Sequence, residues 1–231
     1  MKKIGVIVFP GTNCDRDVFH VLSEVMHLET EYVWHKRQTL KGFSGLVLPG
    51  GFSYGDRLRA GVIAAHSPII KEVKRMAKDG IPILGICNGF QILIESCLLP
   101  GALVKNKHLS FVCKWVDATV TNVRTPFTLL FRRNQKIRIP IAHGEGRYVA
   151  DSVTIKELRQ KNQIVLSFLN ENPNGSIESI AAVCNPEGNV VGMMPHPERA
   201  SERILSPVGG SVDGSTIFQS LVHYLGESYP A

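Results

Sequence analysis

Cys87 stands between two glycines in the segment G-I-C-N-G, residues 85–89. An apolar run precedes it and a helix-forming run follows. A cysteine on a sharp strand-to-helix turn is held in a strained backbone conformation. Small residues two before and two after it let strand and helix approach closely, the geometry of G-x-S-x-G hydrolases with sulfur in place of oxygen. At a helix N-terminus the positive end of the dipole favours a thiolate. The same turn aims backbone N–H groups at a developing oxyanion. A buried structural thiol between flexible residues fits the motif equally well. A nucleophile also needs a base, and usually an oxyanion hole.

Two other loops offer those parts. In P-H-P-E-R, residues 195–199, His196 and Glu198 are two apart. In an extended segment they project to one side, so Glu198 can hold His196 in one orientation and tautomer. Pro195 and Pro197 stiffen that run. In L-P-G-G, Gly50 and Gly51 follow the strand-like G-L-V-L and can present backbone N–H groups to a ligand. Alone, the first reads as an exposed loop and the second as a simple turn. Together, each at the end of a predicted strand, they fit acyl transfer through a thioester.

The elements that must position these loops alternate along the first half. K-K-I-G-V-I-V-F reads as a buried strand, and Thr12 or Asn13 as the cap of a helix whose apolar face carries Val18, Val21, Leu22 and Val25. T-E-Y-V-W and G-L-V-L read as strands, and residues 67–78 as an amphipathic helix stopped at Gly80. I-P-I-L-G-I-C is another strand, and N-G-F-Q-I-L-I-E-S-C-L-L a helix. Short apolar strands alternating with helices predict a parallel sheet covered on both faces, with ligands at the carboxyl ends of the strands. The second half reads as further strands, some antiparallel, with N-P-E-G-N as a turn and S-T-I-F-Q-S-L-V-H-Y-L-G as a closing helix.

The 231 residues, with no repeat or Gly/Ser-rich linker, read as one domain spanning 1–231. Apolar residues make up 44% and charged residues 20%, so a sizeable core is available. The opening apolar run ends at Pro10-Gly11 and reads as a strand rather than an export signal. The stretch Ile81 to Ile94 is too short and too polar to span a membrane. Five scattered cysteines without such a signal predict free thiols in a reducing cytoplasm, and none has zinc-site spacing. The net charge of +6 is dispersed apart from Arg132, Arg133, Lys136 and Arg138. Without aromatic interleaving it reads as a solvated or protein-docking surface, not a nucleic-acid site.

At the three loops the chain resembles the class I glutamine amidotransferases, whose signatures are a P-G-G turn, G-x-C-x-G-x-Q and a late H-P-E. The segments F-P-G-T-N-C-D-R-D, G-G-F-S-Y-G-D-R-L-R-A-G, P-I-A-H-G-E-G-R-Y and M-M-P-H-P-E-R-A extend the resemblance over nearly the whole chain. Within the family they narrow it to the separate glutaminase subunits that serve a purine-pathway synthetase split into several chains. The resemblance implies a flavodoxin-like α/β fold. That is a central, mostly parallel sheet flanked by helices, with a smaller antiparallel element in the second half. It implies Cys87 as nucleophile on glutamine, His196 as general base and acid, and Glu198 as its partner. It implies an oxyanion hole from N–H groups near Gly51 and Phe52 and of Asn88. Gln91 and the loop of His143 and Gly144 would border the glutamine site. Ammonia would pass to a large synthetase subunit that uses ATP and Mg2+ to convert formylglycinamide ribonucleotide to formylglycinamidine ribonucleotide, in an assembly bridged by a further small subunit. No cofactor or metal is implied in this chain. The loop from Ser53 to Gly61, with Asp56, Arg57 and Arg59, is the candidate docking face. Ser167, Phe168 and Leu169 depart from the aromatic pair and arginine usual there, so no glutamine contact is carried over to that strand.

Other readings share parts of the pattern. An amidotransferase feeding pyridoxal phosphate synthesis would have the same triad, but S-Y-G-D-R-L-R-A-G argues against it. A non-catalytic docking module would not need all of Cys87, His196 and Glu198. A peptidase would need a peptide-binding feature, and the sequence offers none.

Overall fold

The computed structural model describes residues 2–207 and 210–227. In chain order its strands are β1 (Lys3–Val8), β2 (Glu29–Trp34), β3 (Gly45–Leu48), β4 (Ile83–Ile86), β5 (Ala102–Val104), β6 (Val112–Val120), β7 (Lys136–His143), β8 (Arg147–Val149), β9 (Ile164–Phe168), β10 (Ile180–Cys184) and β11 (Val190–Met193). The α-helices are α1 (Asp15–His20), α2 (Ile69–Lys78), α3 (Asn88–Glu95), α4 (Ser152–Gln160) and α5 (Asp213–Tyr224).

Nine strands form one sheet in the order β2-β1-β3-β4-β11-β10-β9-β6-β7. From β2 to β11 every pairing is parallel, and from β11 to β7 every pairing is antiparallel. The expected architecture is present, with one refinement. The antiparallel strands continue the central sheet, and a separate two-stranded pair, β5 with β8, stands beside it. The sequence explains the division. G-L-V-L, I-L-G-I and V-V-G-M are buried at every position, as strands covered on both faces must be. K-I-R-I-P-I-A-H instead alternates exposed and buried over its first half, as a strand with one wet face does. Pro140, which has no N–H to give a ladder, lies in β7 at the sheet edge.

The helices follow their apolar stripes. α2 buries Ile69, Ile70, Val73, Met76 and Ala77, and each fully buried aliphatic side chain contributes about 1.5–3 kcal/mol. It ends before Gly80, whose φ of +77° suits glycine. α3 is buried from Asn88 to Ile94, which places it under the centre of the molecule. It stops at Glu95, short of the expected Leu99, because Cys97 turns the chain with φ +60°.

Three elements differ from expectation. Neither Thr12 nor Asn13 caps α1. Thr12 Oγ1 instead accepts the Phe9 N–H at 3.0 Å, and the helix begins at Asp15 with Cys14 before it. The chain then continues as a π-helical turn over Val21–Val25. α4 has no counterpart in the periodicity reading, although Asp151 caps it by accepting the Thr154 N–H at 2.7 Å. The strand pattern reads K-I-R-I-P-I-A-H-G-E-G-R-Y-V as one strand, but it splits into β7 and β8 in different sheets, because the chain leaves the large sheet after His143 and loops through residues 144–146.

Candidate active site

β4 and β11 are neighbours in the sheet, and the chemistry collects where both end. Met193 pairs with Ile86, and the Cys87 N–H donates to the Met193 carbonyl at 2.7 Å. One strand therefore delivers Cys87 and the next delivers His196 and Glu198.

Cys87 has φ +49° and ψ −104°, a conformation that costs a non-glycine residue energy. Close packing of α3 holds it there. A Cβ on Gly89 would stand 1.9 Å from the Leu48 carbonyl oxygen, so only glycine lets the helix start so near β3. The thiol rests on the Ala142 carbonyl at 3.7 Å. His196 Nδ1 lies 2.6 Å from Glu198 Oε1, and both residues are buried. That contact fixes a ring proton on Nδ1 and leaves Nε2 on the side of the ring away from the carboxylate. Burial pulls the His196 pKa down, but the Glu198 carboxylate and Cys87 together hold it well above the ordinary value. Gly50 packs between the parts. A Cβ there would meet His196 Cε1 at 2.8 Å, Cys14 Sγ at 3.1 Å and Cys87 Cβ at 3.4 Å.

The oxyanion donors divide differently from expectation. The Phe52 N–H is already committed to the Gly11 carbonyl at 3.0 Å. The Gly51 and Asn88 N–H groups donate to no acceptor among the described residues, and Asn88 opens α3. Gly51 has φ +149°, a backbone that favours glycine. These two N–H groups are the ones free to receive an anion.

A cavity of about 310 Å³ opens over Cys87 and is walled by Gly51, Phe52, Gln91, His143, Gly144 and Glu145, among others. Gln91 Nε2 donates to the Glu145 carbonyl at 2.6 Å, and Asn88 Nδ2 donates to Gln91 Oε1 at 2.9 Å. Asn88 Oδ1 in turn accepts the Ser53 N–H at 3.1 Å. One amide chain thus joins the nucleophile turn to both loops around it. Asp56 belongs to this wall, with Oδ1 3.5 Å from Asn88 Nδ2. Burial, with the nearby Glu145 charge, pushes its pKa up to about 6. Arg57 and Arg59 lie outside, exposed on either side of Leu58, which is 94% exposed. Arg59 Nε donates to Glu95 Oε1 at 2.7 Å. A larger hollow of about 640 Å³ shares Cys113, Ala142 and Arg199 with the first but is not lined by Cys87.

Sequence reasoning missed several residues here. Asn106 organises the loop of His143. Its Oδ1 accepts from His143 Nδ1 and from the Gly146 N–H, both at 3.1 Å, while Nδ2 donates to the His143 and Ser110 carbonyls. This fixes the His143 proton on Nδ1. Burial, with the charge on His196 adding, lowers the His143 pKa to about 4, so the ring is neutral. A lone Asn in a loop carries no sequence signal. Cys14 and Arg199 were visible inside F-P-G-T-N-C-D-R-D and P-H-P-E-R but had no role there. Arg199 Nη2 donates to Cys14 Sγ at 2.9 Å, and its Nε stands 3.8 Å from both Glu198 and Asp17.

The chain is similar to known proteins. The model of the CobB/CobQ-like glutamine amidotransferase domain matches residues 1–225. Phosphoribosylformylglycinamidine synthase subunit PurQ of Methanosarcina barkeri is 50% identical over 235 residues, covering 98% of this chain and 100% of that one. The subunit of the same name from Alkaliphilus metalliredigens is 51% identical over 223 residues, covering 96% of each. Among solved structures, PurLQS from Thermotoga maritima matches with a TM-score of 0.87 and 48% identity, over 97% of this chain and 99% of that one. Another glutamine amidotransferase from Thermotoga maritima shares the fold at 17% identity and a TM-score of 0.55, over 85% of this chain and 76% of that one.

Proposed function

The chain belongs to the CobB/CobQ-like glutamine amidotransferase family, and on that premise we infer that it is the glutaminase subunit of phosphoribosylformylglycinamidine synthase in purine biosynthesis. The observation that carries the chemistry is the convergence of Cys87, His196 and Glu198 at the ends of two neighbouring strands.

The reaction follows from the geometry. Glutamine enters the cavity with its side-chain amide over Cys87. His196 Nε2 holds the proton taken from the Cys87 thiol, and the thiolate attacks the amide carbon. The oxyanion falls to the N–H groups of Gly51 and Asn88, and Glu198 steadies the imidazolium. His196 then gives the proton to the leaving nitrogen, and ammonia departs from a thioester. Water, activated by the same ring, releases glutamate. Gln91, His143, Gly144 and Asp56 shape the glutamine end of the cavity, with His143 neutral throughout.

Free ammonia protonates in neutral water and ceases to be a nucleophile. The chain therefore works as one glutaminase domain in an assembly with a large synthetase subunit and a small bridging subunit. That partner consumes ATP with Mg2+ to convert formylglycinamide ribonucleotide to formylglycinamidine ribonucleotide. Arg57, Leu58 and Arg59 form the exposed tip through which the loop docks, with Asp56 linking it to the cavity. We place the assembly in the cytoplasm, a reading supported by five free thiols.

A glutamine-mimicking diazo ketone tests the assignment. It is expected to add covalently to Cys87, read by peptide mass spectrometry, with Cys87→Ala abolishing the adduct. Labelling mainly at Cys14 or Cys97 would overturn it. Coexpression with the synthetase should raise glutaminase activity and yield the amidine product, which the isolated chain should not make.

A further inference from the structure

No step above uses Arg199, yet its guanidinium reaches the catalytic carboxylate. Arg199 follows Glu198 on the tight turn Pro197–Ala200, where its N–H donates to the His196 carbonyl at 3.2 Å. The side chain is held by residues near the start of the chain. Nη2 donates to Cys14 Sγ at 2.9 Å, and Nε stands 3.8 Å from Asp17 Oδ2 and 3.8 Å from Glu198 Oε1. Cys14 is pinned in turn, because its N–H donates to the Gly50 carbonyl at 3.2 Å. The distance to Glu198 is too long for a hydrogen bond, so the two meet as charges.

Glu198 needs such a neighbour. Its side chain is 0% exposed. Oε1 meets His196 Nδ1 at 2.6 Å, and Oε2 is buried with no hydrogen-bond partner. A buried carboxylate is costly unless an opposite charge stands near it. During the reaction the charge on His196 comes and goes. While the ring holds the proton from Cys87, the imidazolium balances Glu198. Once that proton passes to the leaving nitrogen the ring is neutral, and the carboxylate remains. Among the described residues, the only other cation in ion-pair contact with Glu198 is Arg199.

The elements packed around the turn offer no substitute. Asp17 of α1 and Glu202 line the same hollow as Glu198 and Arg199 and add negative charge, as does Asp15 beside Asp17. α5 packs on the turn through Gly214, next to the acidic Asp213. His20 lies 2.9 Å from Glu202, and Lys114 of β6 is bound to Glu171 at 2.6 Å. Arg16 of α1, Arg138 of β7 and Arg203 after the turn are exposed and make no ion pair with Glu198. His143, at the end of β7, is neutral, and Cys14 and Cys87 bring no positive charge. Burial raises the Asp17 pKa, the Glu198 charge adds to this, and Arg199 opposes it. One guanidinium thus serves two carboxylates.

We propose that Arg199 is a positioning residue for the glutaminase reaction. Anchored on Cys14, its guanidinium balances the buried Glu198 carboxylate through the steps in which His196 is neutral, and so keeps that carboxylate aimed at Nδ1. Arg199 keeps its own protons, and no bond is made or broken there. It acts through Glu198 and His196 rather than on glutamine. The inference rests on the glutaminase reading.

The test is the pH profile of kcat/KM for glutamine, measured on the complex of this chain with its synthetase. Arg199→Gln removes the charge and keeps a hydrogen-bonding side chain. Without the neighbouring cation the catalytic groups bind protons more readily, so the acid limb of the profile is expected at higher pH, by at least about half a unit. Partial exposure of the guanidinium keeps the shift modest. The turnover number should fall by roughly tenfold with little change in KM. Arg199→Lys restores the charge and should return the limb to its wild-type position. Should Arg199→Gln fold poorly by circular dichroism, Arg199→Met, which keeps an apolar stem, answers in its place. A limb that stays put in the uncharged variants, or moves as far in Arg199→Lys, would overturn the proposal and leave Arg199 as a tether between α1 and the turn. A rise in KM at constant turnover would overturn it in favour of a contact with glutamine. Diazo ketone labelling of the wild-type chain keeps the two readings apart. If Cys87 is labelled and the limb does not move, only the role of Arg199 falls. If Cys87 is not labelled, the glutaminase reading falls and the role of Arg199 falls with it.

Discussion

The Cβ that Gly50 lacks would stand 2.8 Å from His196 Cε1. A Cβ does not pack that close to a ring carbon, so the imidazole and this glycine exclude any side chain between them. Gly50→Ala must push His196 away from Cys87 or displace the loop. Glutaminase activity of the complex is expected to fall by at least about 100-fold, while overpacking costs the fold about 1–3 kcal/mol. Activity and thermal melting measured on one preparation separate the two effects. A near-normal rate would show that the loop yields freely.

Glu198→Gln keeps the shape of the buried pair and removes its charge. The Nδ1 contact at 2.6 Å then no longer compels the tautomer that leaves Nε2 free. The turnover number is expected to drop on the order of 10²–10⁴-fold with little change in KM for glutamine. A large KM change at constant turnover would move Glu198 from orienting the base to binding substrate.

Asp56 predicts a dependence on pH. Its folded pKa of about 6 lies above the usual carboxyl value, because of burial and then Glu145. The ionised form is thus the one the fold disfavours. Above that pH the folded chain carries the cost. As pH falls through about 6 and on toward the unfolded value near 4, the folded state gains protons first and the cost is relieved. Asp56→Asn is expected to raise the melting temperature by roughly 2–5 °C at neutral pH, a figure reduced for the solvent reaching this half-buried acid. The gain should vanish near pH 4. A gain that persists there would assign the effect to packing.

Asn106→Ala should loosen the loop of His143 without touching the triad. It strips a partner from the Gly146 N–H and from the buried His143 ring. A loss of about 2–3 kcal/mol in stability is expected. KM for glutamine should rise by roughly tenfold or more, and the turnover number should fall less. An equal fall in turnover at unchanged KM would place the loop in the chemical step.

Much of the fold, and the meeting of Cys87 with His196 and Glu198, was legible because each rests on local pattern. Uninterrupted apolar runs such as I-L-G-I mark strands covered on both faces, and glycines flanking Cys87 mark the turn. What escaped depends on partners distant in the chain. Phe52 looked free to bind an anion, but Gly11 claims its N–H. Asp56 read with its arginine neighbours as surface, yet Asn88 meets it in the cavity wall, where it stands near the like charge of Glu145. Asn106 showed nothing, since its importance lies in bonds to residues 143 and 146. α4 carries a weak apolar stripe, Ile155 and Leu158, and was lost among polar neighbours.

Cys87 and His196 descend from adjacent strands tied together by the Cys87 N–H on Met193 O. Both therefore start from a frame of hydrogen-bonded strands about 4.8 Å apart, and β4 and β11 are buried at every position. Surface loops can lengthen, shorten or change sequence without resetting that frame. A partner subunit seated on those loops would therefore have little purchase on the distance between Cys87 and His196. Its leverage would lie in the loops of residues 51–56 and 143–146, which contribute Gly51, Phe52, Asp56, His143, Gly144 and Glu145 to the cavity wall. Control over when the reaction runs is kept apart, in the architecture itself, from the machinery that runs it.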